Sequence, residues 1–106
     1  MISEDRLQKA LTYLAQTDEP AAELKAEVCR KEYLCKLSRA QSFILADGSV
    51  DLRKAIAEKS DRVQEAEEAL AHAITEFEKV KAKRATEELI VEVWRSVNAN
   101  RRMGNV

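Results

Sequence analysis

The sequence predicts an all-α protein: a long antiparallel helical hairpin, coiled-coil-like, with a short N-terminal helix, three helices in all. Three observations carry that expectation. Breakers and aromatics are scarce, with two Gly, one Pro and 5% aromatic residues in 106, while Ala, Glu, Lys, Leu and Arg are abundant. Within Leu52–Val97, alternating steps of four and three give Leu52, Ile56, Lys59, Val63, Ala66, Leu70, Ala73, Phe77 and Val80, a heptad seam in which only Lys59 is polar. No stretch shows the period-two alternation of a strand, and β-branched residues are sparse until Ile90–Val97.

A first helix is expected over about 3–16. Ser3 is a good N-cap, Glu4 and Asp5 favour the positive end of the helix, and Leu7, Ala10, Leu11 and Leu14 recur on one face. Thr17-Asp18-Glu19-Pro20 ends it, with Pro20 in the first turn of the next helix. Helices 1 and 2 then form a bent rod or a tight corner, and the sequence leaves both open.

The second helix is expected over about 19–46, and its apolar residues fall in two stripes. One is Ala26, Cys29, Tyr33, Leu37, Ala40 and Ile44; the other is Ala21, Leu24, Val28 and Cys35, with Leu34 and Leu45 at the margins. So wide an arc implies more than one neighbour. Asp47-Gly48-Ser49 is the clearest punctuation: Gly48 suits a left-handed residue closing the helix and Ser49 an N-cap, with Asp51 in the turn that follows. The short connection makes an antiparallel hairpin.

A third helix is expected over about 50–98, followed by a frayed tail at 99–106. Lys59 is expected to pack its stem in the seam while its amine reaches water. The seam slips after Val80, where Arg84 replaces the apolar residue that was due, so a break within Lys83–Thr86 is the alternative to a continuous helix. Beyond it, Leu89, Ile90, Val91, Val93, Trp94 and Val97 spread over roughly 200° of the helix, more than one neighbour covers. A single thin hairpin buries little apolar area per residue. A homodimer is therefore expected, its interface Leu7, Leu11, Leu14, Leu89, Ile90, Val93, Trp94 and Val97; a monomeric three-helix bundle is the alternative.

One domain fits the length. The N-terminus carries charges where a signal peptide needs an apolar core, and no apolar run approaches 18 residues, so neither secretion nor a membrane span is expected. Cys29 and Cys35 lie on different faces of one expected helix, which fits unpaired, buried thiols in a reducing cytoplasm.

Catalytic and metal chemistry find little support, and no enzyme activity, metal or cofactor is expected. His72, the one histidine, has Glu68 and Glu76 one turn away on either side, without the Glu-x-x-His pairs of a binuclear carboxylate site. Glu67-Glu68 and Glu87-Glu88 lack an apolar pocket to tune a general acid. Ser38, Ser42, Ser60 and Ser96 have no histidine within helical reach, and the glycines at 48 and 104 make no phosphate loop.

Charge is unevenly spread. Residues 48–78 carry four cations and eight anions, and residues 79–106 seven cations and three anions. The basic set Lys79, Lys81, Lys83, Arg84, Arg95, Arg101 and Arg102 is the candidate for nucleic-acid phosphate contact; solvated charge and helix-end compensation are the simpler reading.

The stretch Glu92-Val93-Trp94-Arg95-Ser96-Val97-Asn98-Ala99-Asn100-Arg101-Arg102, after a Lys- and Ala-rich helix, resembles the ends of small helical proteins encoded by phages and prophages. The resemblance implies an intracellular accessory protein in phage DNA metabolism or host interaction. It carries over no functional residue. Taken together, the sequence points to an interaction or assembly module with a protein partner, and alternatively to a nucleic-acid-associated accessory protein.

Overall fold

The computed structural model describes residues 1–104. These form three helices, α1 (Glu4–Leu45), α2 (Val50–Lys59) and α3 (Asp61–Gly104), with no strand among the described residues. The expected all-α class with three helices is what is seen, but the chain is divided at different places. Contacts gather it into two compact units, Met1–Ala22 with Glu78–Val106, and Glu23–Phe77.

α1 starts as its sequence dictates. Ser3 Oγ accepts from Arg6 N at 3.1 Å, its carbonyl accepts from Leu7 N at 3.0 Å, and Glu4 and Asp5 occupy the first turn. The break expected at Thr17–Pro20 is absent, because α1 continues through Pro20 to Leu45. Proline inside a helix costs about 3 kcal/mol, since it removes a backbone donor and crowds the carbonyl four residues earlier. Side chains brace the turn before it. Thr17 Oγ1 donates to the Tyr13 carbonyl at 2.8 Å, and the Arg84 guanidinium donates to the Leu14 carbonyl at 2.9 Å and to Thr17 Oγ1 and Asp18 Oδ1 at 2.6 Å each. These contacts tie the turn before the proline to α3.

At the other end of α1, Arg53 caps the helix. Its Nε and Nη2 donate to the Phe43 carbonyl at 3.2 and 3.1 Å, and its guanidinium stacks 4.2 Å from the Phe43 ring centroid. Gly48 has φ +114°, and Ser49 caps α2 by accepting from Leu52 N at 3.2 Å. The turn therefore forms as its residues predict.

The long third helix does not start at Val50. Ser60 interrupts it with extended backbone (φ −66°, ψ 145°). Its N–H closes α2 on the Ala57 carbonyl at 3.2 Å, while its carbonyl accepts from Gln64 N at 3.0 Å and its Oγ accepts from Val63 N at 3.3 Å to open α3. One serine is C-cap and N-cap at once, with Asp61 behind it at the positive end of α3. The break shifts the seam by one residue. Ala57 is buried and Arg53 and Ser60 are half-buried, whereas the expected seam residues Leu52, Ile56 and Lys59 are exposed.

From Val63 onward the heptad count holds. In Glu23–Phe77 it buries or half-buries Val63, Ala66, Leu70, Ala73 and Phe77; in the other unit it does the same for Val80, Arg84, Glu87, Val91, Trp94 and Asn98. The break considered at Lys83–Thr86 is absent, because Arg84 takes a seam position rather than ending the helix. The tail expected to fray is helical to Gly104, with Arg101 and Arg102 in the last turn against its negative pole; residues 105 and 106 lie outside the described residues.

Pairing is antiparallel within each unit. In Glu23–Phe77, Arg39 bonds Glu58 at 2.9 Å and pairs with Glu67, Gln41 accepts from Arg62 at 3.1 Å, and Ser42 and Ser60 hydroxyls meet at 3.0 Å. In the other unit, Arg101 reaches Met1, Arg6 reaches Glu87, and Arg84 reaches Asp18. The buried apolar residues are mostly small, Ala10, Cys35, Ala57, Val63, Ala73 and Val91, so helices approach closely over a narrow core.

A Cβ on Gly48 would lie 2.7 Å from Leu52 Cδ2, on a backbone that L-residues rarely adopt. Gly48→Ala is expected to cost at least about 1 kcal/mol, read as a lowered midpoint in thermal denaturation followed by circular dichroism.

Candidate interaction surface

The two apolar stripes of α1 between Ala21 and Ile44 meet different fates. Ala21, Leu24 and Val28 are half-buried and Cys35 is 2% exposed, so this stripe faces the unit's own core. Every member of the other stripe, Ala26, Cys29, Tyr33, Leu37, Ala40 and Ile44, is exposed, with Tyr33 at 65% and Ile44 at 71%. At 100° per residue its positions stay within an arc of roughly 80°. Exposed Leu34 widens its edge.

Two depressions lie along this face. One is formed by Cys29, Arg30, Tyr33 and Leu34 on α1. The other, a groove of about 590 Å³, is walled by Arg39, Ala40, Phe43 and Ile44 of α1 and by Lys54, Ala57 and Glu58 of α2. At the turn end, Leu45, Val50, Leu52 and Ile56 are exposed as well. Isolated exposed aliphatics are ordinary, but a run of them at helical spacing marks a contact surface. Of the two cysteines, Cys35 is buried as expected, while Cys29 is exposed on this face.

The residues expected to form a dimer interface lie in the other unit. Leu7, Leu14, Ile90, Trp94 and Val97 are half-buried there, and Leu11, Leu89 and Val93 are exposed. Val93, Trp94 and Val97 are brought beside Met1 and Ile2 in a groove of about 580 Å³ whose polar rim includes Glu4, Asn98 and Arg101.

Two polar contacts cross this unit. Arg6 Nη2 donates to Glu87 Oε1 at 2.7 Å and lies 2.7 Å from Oε2. Glu87 is 7% exposed, a carboxylate in the seam. The hydrogen bond from Arg6, helped by the charges of Arg6 and Lys83, holds it below the usual glutamate range even though burial pushes the other way. The Arg84 clasp on Leu14, Thr17 and Asp18 is the second contact. Neither was singled out by sequence reasoning, yet a signal existed: carrying the three–four count past Val80 lands on Arg84, Glu87, Val91 and Trp94.

The basic set divides accordingly. Arg84 turns inward, and the Lys83 ammonium sits 4.6 Å from the Tyr13 ring centroid. Arg95 lies 3.9 Å from Glu92, and Arg101 donates to Met1 Sδ at 2.9 Å. Lys79, Lys81 and Arg102 are exposed. His72 and Glu68 are exposed and Glu76 half-buried. Among the described residues, no group of three His, Cys, Asp or Glu side chains is placed to hold a metal, and no helix is long and apolar enough to cross a membrane.

No protein-family model, curated protein or solved structure matches the chain.

Because Glu87 has its pKa depressed in the fold, its ion pair stabilises above the unfolded carboxylate value and is lost as pH falls through the lower folded value. Acid unfolding should therefore steepen below about pH 4.3, the ordinary glutamate value. Glu87→Gln should lower the melting midpoint at pH 7 and flatten the dependence below pH 4.3, measured by thermal melts across pH 3–7.

Proposed function

We propose that this chain is a non-enzymatic interaction or assembly module whose binding face is the uncovered stripe of α1 from Ala26 to Ile44. One observation carries the reading: six positions at coiled-coil spacing are apolar and all exposed, while the neighbouring stripe of the same helix is covered. Such a face is complementary to another helix with the same repeat, because knobs on one side need holes at matching pitch. The fold's part is to leave this face of α1 accessible. The resemblance of Glu92–Arg102 to the ends of phage-encoded helical proteins fits an accessory role of this kind.

Phosphate contact through the basic C-terminal third is the second reading. Exposed Lys79, Lys81 and Arg102 support it, and the inward turn of Arg84 subtracts from it.

Leu37→Glu tests the first reading, since Leu37 is 39% exposed and its replacement leaves the unit's core intact. Helical content by circular dichroism should be unchanged, while binding to any protein partner, including other copies, should be lost; a partner retained by the variant would move the interface elsewhere. For the second, a fluorescent DNA or RNA oligomer should bind at low salt, release as salt rises, and fail to bind Lys79→Glu/Lys81→Glu. No anisotropy change at low salt would dismiss it.

A further inference from the structure

The junction between α2 and α3 carries two helical phases that exclude each other. In a helix running unbroken into α3, Leu52, Ile56 and Lys59 would all lie within roughly 40° of Val63, at 100° per residue, and Val63 is fully buried. Arg53 and Ala57 would lie roughly 80° and 120° away from it. The break at Ser60 reverses this. Ala57 is 4% exposed and Arg53 half-buried, while Leu52 and Ile56 are 52% and 43% exposed. Apolar residues in phase with α3 are thus turned out to solvent.

One dihedral separates the two forms. Ser60 has φ −66°, already a helical value, and only its ψ of 145° departs from the helix, where it would be about −42°. The broken form is held by side chains. Ser60 Oγ donates to the Ala57 carbonyl at 2.9 Å and accepts from Val63 N at 3.3 Å, Gln64 Nε2 donates to the Glu58 carbonyl at 2.9 Å, and Arg53 caps Phe43. A fused helix would replace the first three with backbone bonds from Asp61, Arg62 and Val63 to the carbonyls of Ala57, Glu58 and Lys59. It would give up the Arg53 cap and gain burial for Leu52 and Ile56. Room for that burial exists. A hollow of about 290 Å³ lies between the end of α1 and the junction, with Ser42, Leu45 and Ala46 on one side and Ile56, Ser60 and Arg62 on the other. Each set of contacts excludes the other, so the junction has two discrete packings.

We propose that Ser60 is a two-state hinge: α2 exchanges between the broken form, which displays Leu52 and Ile56, and a form fused to α3, which withdraws both against the end of α1. The inference is independent of the binding face assigned above. What the hinge controls is the apolar patch at the turn end, where Leu45, Val50, Leu52 and Ile56 are exposed together.

Two substitutions drive the hinge in opposite directions. Asp61→Pro suits the broken form, because Asp61 is the first residue of α3 and the residue before a proline prefers the extended backbone that Ser60 already has. It forbids fusion, because residue 61 would lose its donor and clash with the Ala57 carbonyl. Ser60→Ala removes the shared cap and supplies the strongest helix former. In the full chain, NMR relaxation dispersion and saturation transfer read exchange between the forms. The wild type should show a minor form in which Ser60 has a helical Cα shift, and Asp61→Pro should abolish it. Ser60→Ala should make the fused form dominant, with the Asp61 and Arg62 amides exchanging with solvent at least about tenfold more slowly than in the wild type. A wild type without exchange at residues 57–63 overturns the proposal. So does exchange that survives Asp61→Pro, or a folded Ser60→Ala chain whose residue 60 keeps an extended shift. If Ser60→Ala loses its helical circular dichroism, the wild type and Asp61→Pro decide between the same two outcomes.

Discussion

A helix covered by one neighbour can hide only one stripe at three–four spacing, and α1 carries two. That constraint organises the unit Glu23–Phe77. The covering elements, α2 and the start of α3, contribute Ala57, Val63 and Ala73 to the core, small residues that bring the helices close and narrow the contact further. Tyr33, Leu37 and Ile44 stay exposed, and α2 reaches only the edge of the stripe, at the groove beside Ala40 and Ile44. The exposed face is thus a geometric result of how few elements the unit has.

The other unit solves its register differently. Its seam admits two charged residues where apolar ones would pack, Arg84 and Glu87. Each is met by a partner across the pair, Asp18 and Thr17 for the first and Arg6 for the second. Removing charges from water is costly, and such contacts return little net stability compared with a well-packed apolar layer. What they do supply is discrimination. Sliding the helices by one turn would strand Glu87 against apolar surface and take Arg84 away from the carbonyl of Leu14. A seam of small apolar residues tolerates slippage; a seam with two fixed polar pairs does not.

Composition and periodicity made the all-α class, the Ser3 cap and the Gly48–Ser49 turn legible, because each depends on local backbone chemistry. The misplaced boundaries have non-local causes. Thr17-Asp18-Glu19-Pro20 has every local mark of a helix end, yet α1 runs through it, clasped by Arg84, sixty-four residues after Pro20 in the chain, which bonds Leu14, Thr17 and Asp18 in the turn before the proline. Ser60 was the reverse case. Its Lys-Ser-Asp context does read as a cap, but the apolar count Leu52, Ile56, Val63 ran smoothly through it and concealed the phase shift that leaves Leu52 and Ile56 exposed. The two stripes of α1 were visible in the sequence as a pair; which of them is covered depends on α2 and α3 and could not be read from α1 alone.

The same asymmetry explains why the sites expected from charge and from the C-terminal apolar cluster carry less of the argument than the stripe. Arg84 and Lys83 were counted as surface cations, yet one is drawn into the seam and the other onto Tyr13. Leu7, Leu14, Ile90, Trp94 and Val97 are expected at a dimer interface, and all are half-buried within their own unit. Residues already committed to the fold contribute little additional burial to a partner, because the free energy of association comes from surface newly removed from water. Among the described residues, the stripe from Ala26 to Ile44 is the one long apolar run at helical spacing that stays exposed along its whole length. On the proposed reading, substitutions along it change association with little effect on folding, because the exposed side chains add little to the unit's own core.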